Sequence, residues 1–315
     1  METESRSLIE ILTDAQLPLE QGCVLSLGNF DGVHIGHARL IDTLASEKQH
    51  CKAAVFTFAE HPLNLISDRK IVKYIIGSSD KMKYLYELGA DAIYFADFEA
   101  MKDYTPEKFV DKILMKKFNP RLIVCGENFT FGRGKSGNTK DLGRMLTERG
   151  VECRIMPPVT YEGQVVSSTL IRSLITNGDM EKAEKLLGRK YSIMLPVIHG
   201  REIGRKIGVP TINQLFPHDR VVPKFGVYAC VCEINGVMHN GIANVGVRPT
   251  VSENEPGPIC ETHIFEFGEL LYDKDVRVSF CKLIRSETKF DSIAELKEQI
   301  YKDIEECKNY FRGMN

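Results

Sequence analysis

Two histidines stand three residues apart in a glycine-containing stretch near the start of the chain, Gly28-Asn29-Phe30-Asp31-Gly32-Val33-His34-Ile35-Gly36-His37. The apolar run 23–27 before it predicts a buried strand, and a helical pattern follows it. Such a strand–turn–helix unit suits a phosphate, because small residues allow close approach and the first helical N–H groups point toward the anion. His34 and His37 can donate hydrogen bonds to phosphate oxygens or to charge that develops during nucleotidyl transfer.

The spacing of this stretch differs from that of the two common phosphate loops. It lacks the Gly-x-x-x-x-Gly-Lys-Ser/Thr pattern of a P-loop and the Gly-x-Gly-x-x-Gly pattern of a dinucleotide fold. A zinc pair or two surface histidines are the alternative interpretation. A zinc site needs further Cys or His ligands at set spacings, and none stand nearby in the sequence. The pattern therefore favours nucleotide chemistry.

Composition is that of an ordinary protein of about two domains, with 315 residues, 41 basic and 43 acidic side chains and a net charge of -2. We expect no nucleic-acid partner, since no basic field is evident. We expect no membrane association, because no apolar run approaches the ~20 residues of a span. The nine cysteines are scattered, mostly within apolar runs, which favours reduced thiols in a cytoplasmic protein.

Apolar runs alternate with helical patterns through the first part of the chain, which predicts an α/β domain with a parallel sheet. We predict further strands over 53–58, 91–95, 121–125 and 151–155, with helices starting near 79, 105 and 139. Parallel sheets bind ligands at the carboxyl ends of their strands, where the turn containing His34 and the residue His61 both fall.

Two further polar stretches follow predicted strands. Residues 126–137 contain four glycines and two cations, and by themselves also fit a mobile polar loop. Ser167-Ser168-Thr169-Leu170-Ile171-Arg172 could hold phosphate through its hydroxyls and Arg172, but it also fits an ordinary helix N-cap with a surface arginine.

The pattern changes after a helix predicted over 179–187. Short alternating strands separated by Gly, Pro and Asn then predict a mainly antiparallel β-barrel. The pair Asn235-Gly236 indicates a hairpin, and Ser292 with Glu295 predicts the start of a closing helix. We place the domain boundary between residues 188 and 189.

Within the second domain, the loop 199–213 carries three glycines and three cations before Pro210-Thr211-Ile212-Asn213. Its backbone N–H groups could wrap a polyphosphate. In an extended strand Thr211 and Asn213 point to the same side, and both supply hard oxygen ligands suited to Mg²⁺. A polar loop that enters a strand is the alternative.

These blocks, in this order, resemble the bacterial bifunctional riboflavin kinase/FMN adenylyltransferases (FAD synthetases). The resemblance covers about residues 20–311. It includes the His34–His37 turn, the segment around Asn128, Ser-Ser-Thr-x-Ile-Arg, Pro-Thr-Ile-Asn, the block 241–250 and Glu261-Thr262-His263. Ile212 departs from the usual alanine, and Asn128 stands where many members carry aspartate.

The resemblance implies an adenylyltransferase domain over 1–188 and a riboflavin kinase domain over 189–315. It implies ATP as the substrate of both reactions, riboflavin, FMN and FAD as substrates or products, and Mg²⁺ as the cofactor. The implied site residues are Glu261 as the kinase base; His34 and His37 as catalytic groups; Gly28, Asn29, Phe30, Gly36, Ser168, Thr169, Arg172, Gly204 and Gly208 for ATP and phosphate; Asn128, His61 and Arg285 for the flavin; and Thr211 and Asn213 for the metal.

Two other interpretations stay open. One is a nucleotidyltransferase of the same superfamily with another acceptor, although such an enzyme needs no kinase barrel. The other is a flavin-binding or regulatory protein without catalysis, although the retained candidate catalytic residues argue against it. We expect a monomer or a weak homo-oligomer whose partners are flavins and ATP.

Overall fold

The structure is a computed structural model, and it describes residues 9–66, 72–200, 204, 208–247 and 257–313. The chain divides into two compact units. We call them the N-terminal unit, Met1–Val72 with Gly77–Ser168, and the C-terminal unit, Lys73–Ile76 with Thr169–Asn315.

The N-terminal unit is built on a six-stranded sheet in which every neighbouring pair is parallel. Its strands are β1 (Glu10–Leu12), β2 (Cys23–Leu27), β3 (Lys52–Phe58), β4 (Ala92–Ala96), β5 (Pro120–Gly126) and β6 (Glu152–Met156). Its helices are α1 (Ile35–Glu47), α2 (Pro62–Ile66), α3 (Ser78–Glu87), α4 (Phe98–Met101), α5 (Pro106–Phe109) with a π-helical continuation (Val110–Phe118), and α6 (Thr139–Thr147). A small hairpin of β7 (Thr160–Tyr161) and β8 (Gln164–Val165) completes the unit. The predicted α/β class is confirmed.

The strand order β1-β4-β3-β2-β5-β6 places a topological switch point between β2 and β5. From β2 the chain moves to one side through β3 and β4, and it then crosses to β5 and β6 on the other side. Ligands of open parallel sheets bind at the carboxyl ends of the strands beside such a point. The turn after β2 and the loop after β5 are therefore the segments best placed to bind a ligand.

Local sequence signals account for several helix ends. The side chain of Thr105 accepts the Lys108 amide at 3.2 Å, with Pro106 in the first helical position. The left-handed residue Asn119 ends the π-helical segment, and Gly188 ends α8 (Met180–Leu187) in the same conformation. The predicted helix starts and stops fall within a few residues of those observed.

Besides its segment Lys73–Ile76, the C-terminal unit contains α7 (Ser168–Asn177), whose first residue belongs to the N-terminal unit, and α8. A six-stranded antiparallel sheet follows in the order β10-β13-β12-β11-β14-β9. The strands are β9 (Tyr191–Pro196), β10 (Ile212–Leu215), β11 (Gly226–Ile234), β12 (Val237–Val247), β13 (Pro258–Ile264) and β14 (Asp275–Ser286), and the closing helix is α9 (Ile293–Arg312). A bridge between Ile198 and Asn213 joins the two edges of the sheet, so the barrel is nearly closed.

Two details of this unit refine the sequence predictions. Asn235 and Gly236 both have positive φ and join β11 to β12 as the predicted hairpin turn. β13 contains Glu261-Thr262-His263 and ends at Ile264, because the chain turns at Glu266, whose φ is 55°. All nine cysteines are free and most are buried, as predicted for reduced thiols.

Candidate active sites

The turn after β2 holds a strained backbone. Phe30 has φ 50° and Val33 has φ 38°, conformations that bulky and β-branched residues rarely adopt. Phe30 is fully buried, and Gly28 packs so closely against its ring that a Cβ there would lie 3.1 Å from it. Strain of this kind persists only where the surroundings impose it, and it is typical of functional sites.

Three side chains impose this backbone conformation. Thr57 Oγ1 donates to the Asn29 carbonyl at 3.1 Å, and Lys81 Nζ donates to the same oxygen at 3.0 Å. Ser168 Oγ donates to the Asp31 carbonyl at 2.8 Å. Because the peptide groups are planar and trans, fixing a carbonyl also fixes the direction of the next N–H group.

His34 and His37 form one stacked pair at the start of α1. The amide of His37 donates to His34 Nδ1 at 3.2 Å, and the ring centroids lie 3.6 Å apart at 14°. A proton on the His34 ring must therefore sit on Nε2. Gly36 lies against the ring of His34, and a Cβ at this position would approach it to 3.1 Å. The glycine thus provides the space in which the predicted catalytic ring sits.

The other predicted residues of this unit lie at neighbouring strand ends. His61 follows β3, and its Nε2 lies 3.3 Å from the Asn29 amide nitrogen. Asn128 is exposed in the loop after β5. This loop is a hydrogen-bonded turn, in which the amide and carbonyl groups of Phe131 pair with those of Gly137. The sheet topology thus brings the His34 turn and the Asn128 loop to the two sides of the switch point.

Thr169 and Arg172 fall in the C-terminal unit, whereas Ser168 belongs to the N-terminal unit. Thr169 is exposed near the start of α7, and Arg172 Nε donates to the Lys73 carbonyl at 2.8 Å. Their role as triphosphate contacts stays a prediction.

The barrel contains a cavity of about 380 Å³. Five of the residues that line it occupy one row across five adjacent strands, where each is the direct partner of the next: Asn213, Glu261, Asn244, Val227 and Arg285. Directly opposite residues on neighbouring strands point to the same face of a sheet. The strand register therefore brings together residues that are far apart in the sequence.

Thr211 also lines this cavity, whereas Ile212 does not, as the extended-strand prediction requires. Asn213 is 5% exposed, and its Oδ1 is buried without a hydrogen-bond partner in the described part of the chain. The half-buried Glu261 carboxylate has no hydrogen-bond partner among the described residues either. The Thr211 hydroxyl and the Asn213 carboxamide oxygen, which has unused acceptor capacity, are hard donors that fit a cation such as Mg²⁺, and the Glu261 carboxylate lies beside them.

His263 and Gly204 hold the segment that carries Thr211. His263 Nδ1 donates to the Pro210 carbonyl at 2.8 Å. Gly204 lines the cavity, and its carbonyl accepts the Val209 amide at 2.8 Å. Gly208 is exposed with φ 84° and does not line the cavity. Two parts of the predicted site lie outside the described residues. They are the three cations of this loop, Arg201, Arg205 and Lys206, and the end of the block 241–250, Arg248-Pro249-Thr250.

Arg285 lines the cavity while its guanidinium binds a carboxylate of the closing helix. Its Nε lies 2.9 Å and its second terminal nitrogen 2.8 Å from the two Asp303 oxygens. Asp303 is 2% exposed and also accepts a hydrogen bond from Gln299 Nε2 at 2.8 Å. The predicted flavin residue thus also ties α9 to the barrel.

Sequence reasoning missed Lys81, Asn244 and Asp303. Lys81 and Asp303 lie on helices, where lysine and aspartate are ordinarily exposed. Asn244 stands within a block that the resemblance matched, but only the strand register shows that it faces Glu261. The described residues include no group of three or more His, Cys, Asp or Glu side chains arranged to hold a metal ion. Within the described ranges, no helix has the length and apolarity needed to cross a membrane.

Comparison with known proteins matches two different family models to successive parts of the chain. The sequence model of the FAD synthetase family matches residues 17–170, and that of the riboflavin kinase family matches residues 187–311. A bifunctional riboflavin kinase/FMN adenylyltransferase of Bacillus subtilis is 36% identical over 92% of this chain and 93% of its own. The protein of the same name from Haemophilus influenzae is 35% identical over 93% of this chain and 96% of its own.

Among solved structures, one from Streptococcus pneumoniae, described as a macrolide-efflux protein, is 30% identical with a TM-score of 0.86. The match covers 96% of this chain and 99% of that one, so the two share their whole fold. The relatives match nearly their full length, and both family models match in the order of the two units. The chain therefore belongs to the family of bifunctional riboflavin kinase/FMN adenylyltransferases.

Proposed function

We propose that this chain makes FAD from riboflavin in two ATP-dependent steps, with a kinase site in the barrel cavity and an adenylyltransferase site at the His34 turn. The observation that carries the proposal is the row Asn213–Glu261–Asn244. It places a carboxylate beside a buried carboxamide oxygen in one cavity, and neither has a hydrogen-bond partner among the residues that the structure describes. We assign residues 1–188 to adenylyl transfer and 189–315 to the kinase.

In the kinase step, Glu261 removes the proton from the terminal ribityl hydroxyl of riboflavin. The hydroxyl oxygen forms a bond to the γ-phosphorus of ATP, and the bond to the β,γ-bridging oxygen breaks to release ADP. A carboxylate that already has hydrogen-bond partners would be a weaker acceptor, so the lack of a partner for Glu261 among the described residues suits a general base. The product of this step is FMN.

Thr211 and Asn213 would hold Mg²⁺, which neutralises charge on the phosphates of bound ATP. The Asn213 oxygen, which has no partner in the part of the chain that the structure describes, supports this assignment, because a buried acceptor without a partner costs free energy unless it binds something. Gly204 and Gly208 would let the loop approach the phosphates. Arg285, held by Asp303, would face the flavin in the same cavity.

In the adenylyltransferase step, an oxygen of the FMN phosphate attacks the α-phosphorus of a second ATP. The bond to the α,β-bridging oxygen breaks, and pyrophosphate leaves. The nucleophile is already an anion, so positioning and charge stabilisation supply most of the catalysis. His34 would donate a hydrogen bond from Nε2 to the phosphates, and the stacked ring of His37 would help to stabilise the charge that develops there. Gly28, Asn29, Phe30, Gly36, Ser168, Thr169 and Arg172 would bind ATP, with His61 and Asn128 at the flavin.

We further propose that the enzyme acts in the cytoplasm as a monomer or weak homo-oligomer. Nine free cysteines, most of them buried, suit a reducing compartment.

A time course tests the proposed function. Purified protein is incubated with riboflavin, ATP and Mg²⁺, and the flavins are separated by chromatography. FMN should appear first and FAD later. FMN without FAD would refute the adenylyltransferase assignment, and unchanged riboflavin together with unchanged added FMN would refute both assignments.

A further inference from the structure

Lys81 is a buried lysine directly beneath the His34 turn. It lies in α3, is 5% exposed, and donates from Nζ to the Asn29 carbonyl at 3.0 Å. Burial lowers the pKa of its ammonium, while the charge of Asp31 opposes that shift. Placing a lysine here costs free energy, because lysine is almost never fully buried without a partner. The position therefore calls for an explanation.

The geometry of the Asn29–Phe30 peptide provides that explanation. Lys81 and Thr57 together hold the Asn29 oxygen toward the interior of the unit. In a planar trans peptide the N–H group points opposite to the carbonyl, so the Phe30 N–H points away from these two donors. In the described part of the chain no backbone acceptor is bound to this N–H. Backbone N–H groups in such turns are the usual ligands of phosphate.

We propose that Lys81 is a positioning residue of the adenylyltransferase site, which fixes the Asn29–Phe30 peptide so that the Phe30 N–H binds a phosphate of ATP. This inference rests on the adenylyltransferase function proposed above. It assigns to Lys81 no contact with the nucleotide, and its effect passes through Asn29. It also explains how Phe30 keeps a φ of 50° while its ring is fully buried.

The test is the full-length variant Lys81→Met, which keeps the length of the side chain and removes the donor. Steady-state kinetics of FAD formation from added FMN are measured against ATP and against FMN. We expect kcat/KM for ATP to fall roughly 10- to 100-fold, the loss expected when a hydrogen bond to a charged group is removed. The KM for FMN and the riboflavin kinase activity of the same chain should change less than about twofold, because neither depends on this peptide group.

Lys83→Met is the matched control. Lys83 lies on the same helix, with its side chain 41% exposed, and it contacts Glu87 at 3.9 Å rather than the turn. The Lys83→Met variant should leave kcat/KM for ATP, the KM for FMN and the riboflavin kinase activity at their wild-type values. If Lys81→Met behaves like Lys83→Met while the wild-type chain makes FAD, the inference is wrong and the proposed function stands. If the wild-type chain makes no FAD from FMN, the proposed adenylyltransferase function is wrong.

A second variant covers the case in which Lys81→Met does not fold. Asp31 is 2% exposed and its charge acts on the ammonium, so removing Lys81 alone takes a favourable charge interaction away from a buried carboxylate. The double variant Lys81→Met/Asp31→Asn removes both charges and should fold. A selective loss in kcat/KM for ATP in the double variant supports the inference. Wild-type kinetics in the double variant would mean that Lys81 only neutralises Asp31, and the inference that Lys81 positions the turn would then be wrong.

Discussion

Asn213 and Glu261 are direct partners on β10 and β13, so the carboxamide and the carboxylate point into the barrel cavity from adjacent positions. Neither the Asn213 oxygen nor the Glu261 carboxylate has a hydrogen-bond partner in the described ranges. The Asn213 oxygen is the buried one of the two, and a buried acceptor without a partner is uncommon in a folded protein and is ordinarily explained by a ligand or ordered water. The kinase assignment gives these oxygens a cation and a substrate hydroxyl to bind.

The metal assignment predicts the behaviour of Asn213→Ala. Removing a residue that only hydrogen-bonds to a metal ligand already lowers metal affinity by roughly 10- to 100-fold. We expect the Mg²⁺ concentration for half-maximal kinase activity to rise by at least that factor, while FAD formation from FMN is retained. Asn240→Ala is the control, since Asn240 is exposed on β12 and does not line the cavity. An unchanged Mg²⁺ requirement in Asn213→Ala would contradict the assignment.

The Gly36→Ala variant should still fold, but its rate of FAD formation should fall. A Cβ here would lie 3.1 Å from the His34 ring, so the ring must shift by a few tenths of an ångström. We expect kcat for FAD formation to fall about tenfold, since a displacement of ~1 Å costs roughly 100-fold. Gly143→Ala in α6 is the control, because its Cβ would meet no atom within 4 Å. Equal kcat values for the two variants would show that the position of the His34 ring is unimportant.

The Arg285–Asp303 pair should stabilise the closing helix. Asp303→Asn leaves Arg285 without its buried partner, and breaking such a pair costs about 3 kcal/mol at the lower end of the known range. Amide hydrogen exchange in α9 should report that loss as faster exchange. Glu298→Gln breaks an exposed pair with Lys302 on the same helix and should leave exchange unchanged. Slow exchange in Asp303→Asn would show that other contacts hold the helix.

Burial makes most of the thiols poor nucleophiles. It raises the pKa of Cys23 and of Cys307 from 9.0 to about 12, whereas a hydrogen bond with Cys125 lowers the pKa of the half-buried Cys153. At pH 8 iodoacetamide should therefore modify Cys51 and Cys153 first, as mass spectrometry would show.

The same pKa shifts predict how stability depends on pH. The raised thiol pKa values stabilise the folded chain fully below about pH 9, where the unfolded thiols are also neutral. Between about pH 9 and 12 the unfolded thiols ionise first, so the free energy of unfolding should fall. Urea denaturation at pH 8 and pH 10 measures this. Early labelling of Cys23, or a rise in stability toward pH 10, would contradict the burial argument.

The local parts of this architecture were predictable because their signals are local. The apolar run 23–27 became β2 as predicted, and Asn235-Gly236 made its hairpin. The contact of Lys81 with Asn29 spans 52 positions, and nothing near Lys81 in the sequence marks it as buried. The row that joins Asn213, Glu261 and Asn244 likewise depends on strand register, which periodicity alone does not give.

The central claim is that two separate sites in one chain perform the two steps. Glu261→Gln removes the proposed base and should lower FMN formation by roughly 100- to 10,000-fold, the range for a general base, while FAD formation from added FMN continues. His37→Ala should do the opposite.

The most direct measurement mixes the two variants with riboflavin, ATP and Mg²⁺ and follows FAD by chromatography. Each variant alone should make almost no FAD from riboflavin, and the mixture should make it, because FMN released by one variant is the substrate of the other. If either substitution abolishes both activities in a folded chain, or if the mixture makes no FAD although each variant retains its remaining activity on added substrate, the two-site account with released FMN is wrong.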